Sequence, residues 1–192
     1  MSEVSFRAPP LKRREIRQIA QKFRDICQIS DRPYADVVRL LEADALGLVG
    51  FNWEVVSTEE LADEHGLTLL NERFVQIRED VYEGALAGSG RDRMTIAHEM
   101  GHAILHSDVQ LARMAPNAGK PEAFRCPEWQ AKCFAGEFLI DLRQLEHPMS
   151  IFQVASEFGV STQAAGVQLR TFIREGELEY TQGSYYRKRR TQ

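Results

Sequence analysis

The chain has 192 residues, of which 43% are hydrophobic and 27% charged, a composition typical of a globular protein rather than a disordered or fibrous one. Its formal net charge of −4 argues against a protein whose main task is to coat nucleic acid. The sequence has no apolar run of about 18 residues, no apolar signal-peptide core at its start, and no disulfide-like pattern among Cys27, Cys126 and Cys133. We therefore expect a cytoplasmic protein with no membrane partner.

The first half of the chain alternates between helical and strand-like patterns. In chain order, the predicted elements are an amphipathic helix at 16–27, a helix from 31 to 47, a strand at 51–56, a short helix at 57–66, strands at 68–70 and 74–78, and a helical turn or irregular segment at 80–87. The short helix is predicted because Ser57, followed three residues later by Glu60, is typical of a capping box.

The next helix carries the most informative motif, His98-Glu99-Met100-Gly101-His102, which reads H-E-x-x-H. Two histidines four residues apart lie on one helix face and can share a zinc ion, and Glu99 can act on water as a general base. A helix over 93–107 separates an apolar stripe from a polar one. The apolar stripe is Ile96, Met100, Ala103 and Ile104, and the polar stripe is Thr95, His98, Glu99, His102 and His106. Because glycine in a helix interior costs about 1 kcal/mol against alanine, we expect another part of the chain to approach Gly101 closely.

The remainder is predicted to be helical apart from a loop-rich segment at 106–127, which is a candidate lid or substrate wall. Helices are expected at 127–142, 151–158 and 161–173, the last two resembling a helix-turn-helix. These elements predict an α+β fold, mainly helical, with a small three-stranded sheet. We expect a metal-binding domain with N-terminal helices at 1–143, a C-terminal helical pair packed on it at 144–180, and a basic tail at 181–192.

A catalytic zinc ion usually has three protein ligands, so one more is needed. His106 lies about 12 Å along the helix from His98, which favours a supporting role for it. Glu128 opens the helix at 127–142, and its position makes it the favoured ligand. Four competitors remain open at this point: Glu137, Asp141, Asp108 and Cys126.

Two segments resemble the ImmA/IrrE family of bacterial metallopeptidases. The first runs from Arg93 to His102 and continues to Leu105-His106. The second is Glu128-Trp129-Gln130-Ala131 with Phe134-Ala135 and Phe138-Leu139. The approach at 77–82 and the turn at 158–164 are also similar. Lys132 and the pair Ile140-Asp141 depart from the usual family pattern, at positions that affect packing and substrate preference.

The resemblance implies a gluzincin-like minimal metallopeptidase. Its metal ligands would be His98, His102 and Glu128, its general base Glu99, and its metal Zn²⁺, with Mn²⁺ as the alternative. The partner that it implies is a protein substrate, a helix-turn-helix repressor that the enzyme cleaves. Tyr82 and His106 are candidate donors to the oxyanion that forms during peptide hydrolysis.

A second function comes from a different class of protein. In this alternative the C-terminal helical pair binds DNA or a regulatory protein, and the metal site is non-catalytic. For DNA, its second helix would offer Gln163, Gln168 and Arg170 to bases or phosphates. The basic clusters at 12–17 and 187–190 are expected to be solvated faces or chain ends, with a contact to nucleic acid as the alternative.

Overall fold

The computed structural model of the chain describes residues 6–109, 111–115, 119–145 and 147–187. Within these ranges the chain forms an α+β structure with seven α-helices and seven short strands. The helices are α1 (Arg13–Ile26), α2 (Val37–Glu42), α3 (Glu79–Leu86), α4 (Gly90–His106), α5 (Pro127–Leu139), α6 (Ile151–Phe158) and α7 (Thr162–Arg174). The strands are β1 (Phe6–Arg7), β2 (Asn52–Val56), β3 (Gly66–Leu69), β4 (Phe74–Arg78), β5 (Ala112–Arg113), β6 (Leu178–Thr181) and β7 (Ser184–Arg187). In the described ranges, no helix is both long and apolar enough to cross a membrane.

The predicted three-stranded sheet is present, with the strand order β2-β4-β3. Strand β4 is central, pairing in parallel with β2 and in antiparallel with β3, and its Val75 and Ile77 are fully buried. Strand β3 lies at the edge of the sheet, and the hydroxyl of its Thr68 contacts Glu99 of α4. The sheet edge is thereby placed beside the motif-bearing helix.

Helices α4 and α5 pack tightly against each other at Gly101. A methyl group at this glycine would lie only 3.1 Å from the carbonyl oxygen of Ala131 and 3.1 Å from a ring carbon of Phe134. The predicted close approach at Gly101 is therefore confirmed. The predicted apolar stripe of α4 is also largely buried, with Ile96 and Met100 fully inaccessible to solvent.

Three predicted helices end or form differently from expectation. The prediction of a helix at 57–66 is wrong. Ser57 and Glu60 do exchange the capping hydrogen bonds, at 2.9 and 3.3 Å, but the chain continues as a turn and Gly66 begins β3. Of the helix predicted from 31 to 47, only residues 37–42 are α-helical. The segment predicted at 80–87 as a helical turn or irregular belongs to a regular helix, α3, apart from Ala87, which caps the end of that helix. Helix α5 ends at Leu139, because Asp141 instead accepts a hydrogen bond from the backbone N–H of Arg143 and starts a 3₁₀ turn.

Residues 178–187 form a β-hairpin that the sequence analysis does not predict. Its turn residues Gln182 and Gly183 have φ angles of 52° and 82°, the left-handed conformation that a two-residue hairpin turn requires. Part of the expected basic tail is therefore a strand, and the other basic residues of that tail, 188–190, lie outside the described residues. The division into domains stays a prediction.

The basic cluster at 12–17 is not wholly solvated. Arg17 is buried and donates to Glu137 of α5 at 2.7 Å, and Arg13 donates to the same carboxylate at 3.1 Å. Glu175 and Glu177, beyond the end of α7, complete the ion-pair network. This part of the cluster joins α1, α5 and α7 and is not a free nucleic-acid surface.

Candidate metal centre

Three candidate ligands meet at one point between α4 and α5. His98 and His102 project from adjacent turns of α4, and Glu128 projects from the first turn of α5, which Pro127 opens. The Nε2 atoms of the two histidines are 3.1 Å apart, and they lie 3.3 and 3.2 Å from the two oxygens of Glu128. Ligands about 2.0–2.1 Å from a tetrahedral zinc ion would be about 3.3 Å from one another. The spacing of the three side chains therefore fits a divalent ion of that size.

The charges at the centre suit a cation. The two imidazoles, that of His102 first and that of His98 second, hold the pKa of Glu128 well below its usual range by hydrogen bonding to the carboxylate. Glu128 is therefore ionised at neutral pH, as a metal ligand must be. Its side chain is 61% exposed while the histidines are 17% and 12% exposed, so the centre opens to solvent on the side of α5.

Glu99 lies beside this group and is held by the sheet. Its carboxylate accepts a hydrogen bond of 2.7 Å from the hydroxyl of Thr68 on β3, and only 7% of the residue is exposed. Gly66 makes room for it, because a methyl group at Gly66 would lie 2.9 Å from the Glu99 Cγ atom. Sequence reasoning missed Thr68, since a threonine in a strand is too common to mark a contact with a helix 31 residues away.

His106 lies behind His102 rather than at the surface of the site. Its ring is 1% exposed, with one nitrogen 3.3 Å from His102 Nδ1 and the other 2.8 Å from the side-chain oxygen of Gln130. Burial lowers the pKa of His106 to about 4, so the ring is neutral at pH 7. A direct contact with a substrate oxyanion would require the ring to leave this buried position, and that role stays a prediction.

Tyr82 is engaged away from the three candidate ligands. Its hydroxyl donates to Glu42 at 2.9 Å, and its ring stacks on Trp53 with centroids 5.9 Å apart. The Glu42 contact raises the pKa of the phenol. A role for Tyr82 as an oxyanion donor also stays a prediction, and it would require the hydroxyl to leave Glu42.

The competing third ligands have other partners or lie outside the group. Glu137 is paired with Arg13 and Arg17, Asp141 with Arg24 and Arg143, and Asp108 with Arg73. Cys126 precedes α5 as its N-cap residue. Among the described residues, the single cluster with metal-ligand spacing is His98, His102 and Glu128.

The C-terminal helical pair uses its turn for packing. Arg93 of α4 donates to the carbonyl oxygen of Phe158 at 3.2 Å, and a methyl group at Gly90 would lie 2.5 Å from the backbone nitrogen of Ser161. Gln168, one of the three residues proposed to read DNA, is buried against Gly136 of α5 and is unable to contact a base. Gln163 and Arg170 are exposed, so a contact with DNA stays a prediction that now depends on two side chains.

Comparison with known proteins gives one match. The family model Peptidase_M78, described as an IrrE N-terminal-like domain, matches residues 56–170. The matched segment includes the three candidate ligands, the general-base candidate Glu99, and strand β3, which carries Thr68. No curated protein and no solved structure matches the chain.

Proposed function

The chain belongs to the Peptidase_M78 family of IrrE N-terminal-like domains, and we propose that it is a zinc-dependent endopeptidase that cleaves a regulatory protein. Membership supports a function of the metallopeptidase type. The observation that carries the proposal is the meeting of His98, His102 and Glu128 with donor atoms 3.1–3.3 Å apart. Imidazole and carboxylate ligands suit zinc, and three protein ligands leave one position open for catalysis.

The residues around the centre divide the work of peptide hydrolysis. A divalent ion held by the three ligands would supply an electrophile that acidifies water and polarises a carbonyl group. Glu99 accepts a proton from the attacking water and donates it to the nitrogen of the leaving amine. Thr68 fixes the orientation of the Glu99 carboxylate through its hydroxyl. Because Glu99 is almost wholly buried, the surrounding residues restrict the conformations of its side chain.

The edge strand β3 offers a place for the substrate backbone. Within the described residues β3 pairs on one side only, with β4, so its outer backbone groups are available to an extended peptide. Pairing there would hold the peptide alongside Thr68 and Glu99. We propose a helix-turn-helix repressor as the substrate, a choice that rests on the resemblance to the ImmA/IrrE family.

The test compares cleavage by the zinc-loaded protein and by Glu99→Gln, with Glu83→Gln, an exposed glutamate of α3, as the matched control. The substrates are helix-turn-helix repressors encoded beside the protein, and the products are mapped by mass spectrometry. We expect the wild type and the control to cut one repressor at a defined bond. Loss of the general base should slow cleavage by about 10²–10⁴-fold while zinc remains bound. Unchanged cleavage by Glu99→Gln would overturn the assigned role of Glu99.

A further inference from the structure

A chain of polar contacts leads from the metal centre into the core behind it. His102 Nδ1 lies 3.3 Å from His106 Nδ1, and His106 Nε2 lies 2.8 Å from the Gln130 side-chain oxygen. The Gln130 side-chain nitrogen lies 2.9 Å from the carbonyl oxygen of Pro9 and 2.8 Å from that of Phe124. Gln130 and His106 are both almost wholly buried, so the hydrogen bond between them is shielded from water.

The two backbone carbonyls fix the orientation of the Gln130 amide. A carbonyl oxygen only accepts hydrogen bonds, so the amide group facing Pro9 and Phe124 must be the NH₂ group. The amide oxygen is then left to face His106, and it too only accepts. His106 must therefore carry a proton on Nε2.

The proton on His106 in turn fixes the proton on His102. His102 Nδ1 and His106 Nδ1 face each other at 3.3 Å, so one of them donates a proton and the other accepts it. His106 already donates from Nε2 to Gln130, and its Nδ1 supplies the lone pair that accepts from His102 Nδ1–H when His102 binds a metal ion through Nε2. A metal ion bound there replaces the hydrogen bond between His102 Nε2 and Glu128, and the lone pair of Nε2 points to the side where Glu128 and His98 lie.

We propose that Gln130 is a positioning residue that acts through His106 to hold His102 in the tautomer that binds a metal through Nε2. The inference rests on the proposed metal centre and deepens it. Because Gln130 is itself held by the carbonyls of Pro9 and Phe124, the segment before α1 contributes to the support of a metal ligand. That segment is anchored there by backbone bonds from Ala8 and Leu11 to the 3₁₀ turn at 123–125.

The direct test is the proton arrangement of the full-length, zinc-loaded wild type, read from long-range ¹H–¹⁵N spectra with ¹⁵N-labelled histidine. We expect His102 to be coordinated through Nε2 with a proton on Nδ1, and His106 to be neutral with its proton on Nε2. His106 protonated on Nδ1, His106 protonated on both nitrogens, or His102 coordinated through Nδ1 would each overturn the proposal.

Substitution of Gln130 adds a functional measurement, the affinity for Zn²⁺ in competition with a chelator. Gln130→Met keeps the side-chain length but removes the acceptor, and loss of such a supporting contact typically weakens metal binding about 10–100-fold. Gln130→Glu should restore most of the affinity, because a protonated carboxyl group can accept from His106 and donate to one backbone carbonyl. Gln163→Met, at an exposed position of α7, is the matched control and should bind zinc like the wild type.

The outcomes separate this inference from the proposed function. If Gln130→Met binds zinc as tightly as the wild type does, the role of Gln130 is refuted and the proposed metal centre stands. A wild type that binds no zinc would refute both. If Gln130→Met fails to fold, the spectra of the wild type decide the question without it.

Discussion

A side chain at Gly101 should push α4 and α5 apart and weaken the metal centre that they share. In Gly101→Val, the new Cβ would lie 3.1 Å from the Ala131 carbonyl oxygen and from Phe134, well inside the normal carbon contact of about 3.5–4.0 Å. Overpacking of this kind costs about 1–3 kcal/mol. The better helix propensity of valine returns about 0.5 kcal/mol. The metal-free variant should therefore melt about 1–10 °C below the wild type, at about 2–4 °C per kcal/mol for a domain of this size.

The same strain should appear in metal affinity. If the helices relax by separating, zinc binding must draw Glu128 back towards the histidines of α4. The free energy of zinc binding then falls by at most the strain that was relaxed, about 1–3 kcal/mol, which weakens the affinity by about 5–150-fold. The assays are thermal unfolding of the metal-free protein and zinc affinity by chelator competition.

Gly166→Val, in α7, is the matched control for Gly101→Val. Its new Cβ would meet the mobile ends of Ile151 and Arg170 at 3.1 and 3.2 Å, and not a backbone. We expect this control to bind zinc within about twofold of the wild type, since neither neighbour belongs to the centre. If Gly101→Val loses stability but binds zinc as tightly as the wild type, the spacing of α4 and α5 does not set the ligand geometry, and the reasoning is refuted.

Three further substitutions or treatments probe other contacts. Thr68→Val should lower kcat at least severalfold, with little change in KM, because it releases the Glu99 carboxylate. Thr68→Ser keeps the hydroxyl and should retain most of the activity. Equal rates for the two variants would refute the positioning role of Thr68. Arg93→Met should lower the free energy of unfolding by about 2–5 kcal/mol, because buried carbonyl groups lose their hydrogen-bond donor at a cost of about 1–3 kcal/mol each. The measurement is a urea titration, in which the control Arg91→Met, at an exposed position, should have little effect. Burial raises the pKa of the Cys133 thiol to about 12. The folded state therefore favours the protonated form, and its stability should fall as pH rises above the ordinary thiol range towards that value, with a shallower fall in Cys133→Ala; identical alkaline slopes would contradict this.

The parts of the site that follow from local spacing could be predicted from the sequence. His98 and His102 share a face because a helix repeats every 3.6 residues, and their Nε2 atoms lie 3.1 Å apart. The role of Glu99 as general base stays a prediction. The third ligand position is harder to predict, because several acids follow the motif and only the packing of two helices decides which one reaches the histidines. The structure resolves this choice through arginines that hold Glu137 and Asp141 elsewhere.

The supporting contacts could not be predicted, because they arise from the packing of distant segments. Thr68 reaches Glu99 across 31 residues, and Gln130 reaches His106 across 24 residues. Thr68 has no neighbour in sequence that marks it, and Gln130, although it lies in the motif that begins at Glu128, has no sequence feature that pairs it with His106. The turn at 57–65 shows that a correct local pattern can also mislead. The capping hydrogen bonds form, but no helix follows them because Gly66 enters the sheet.

The most direct test of the metal centre is a measurement of zinc content and coordination on the full-length protein. Elemental analysis should find about one zinc ion per chain, and X-ray absorption should show two imidazoles and one carboxylate as its protein ligands. We expect Glu128→Ala to lose the ion and Glu99→Gln to keep it. A wild type without stoichiometric zinc after loading, or full occupancy in Glu128→Ala, would contradict the account.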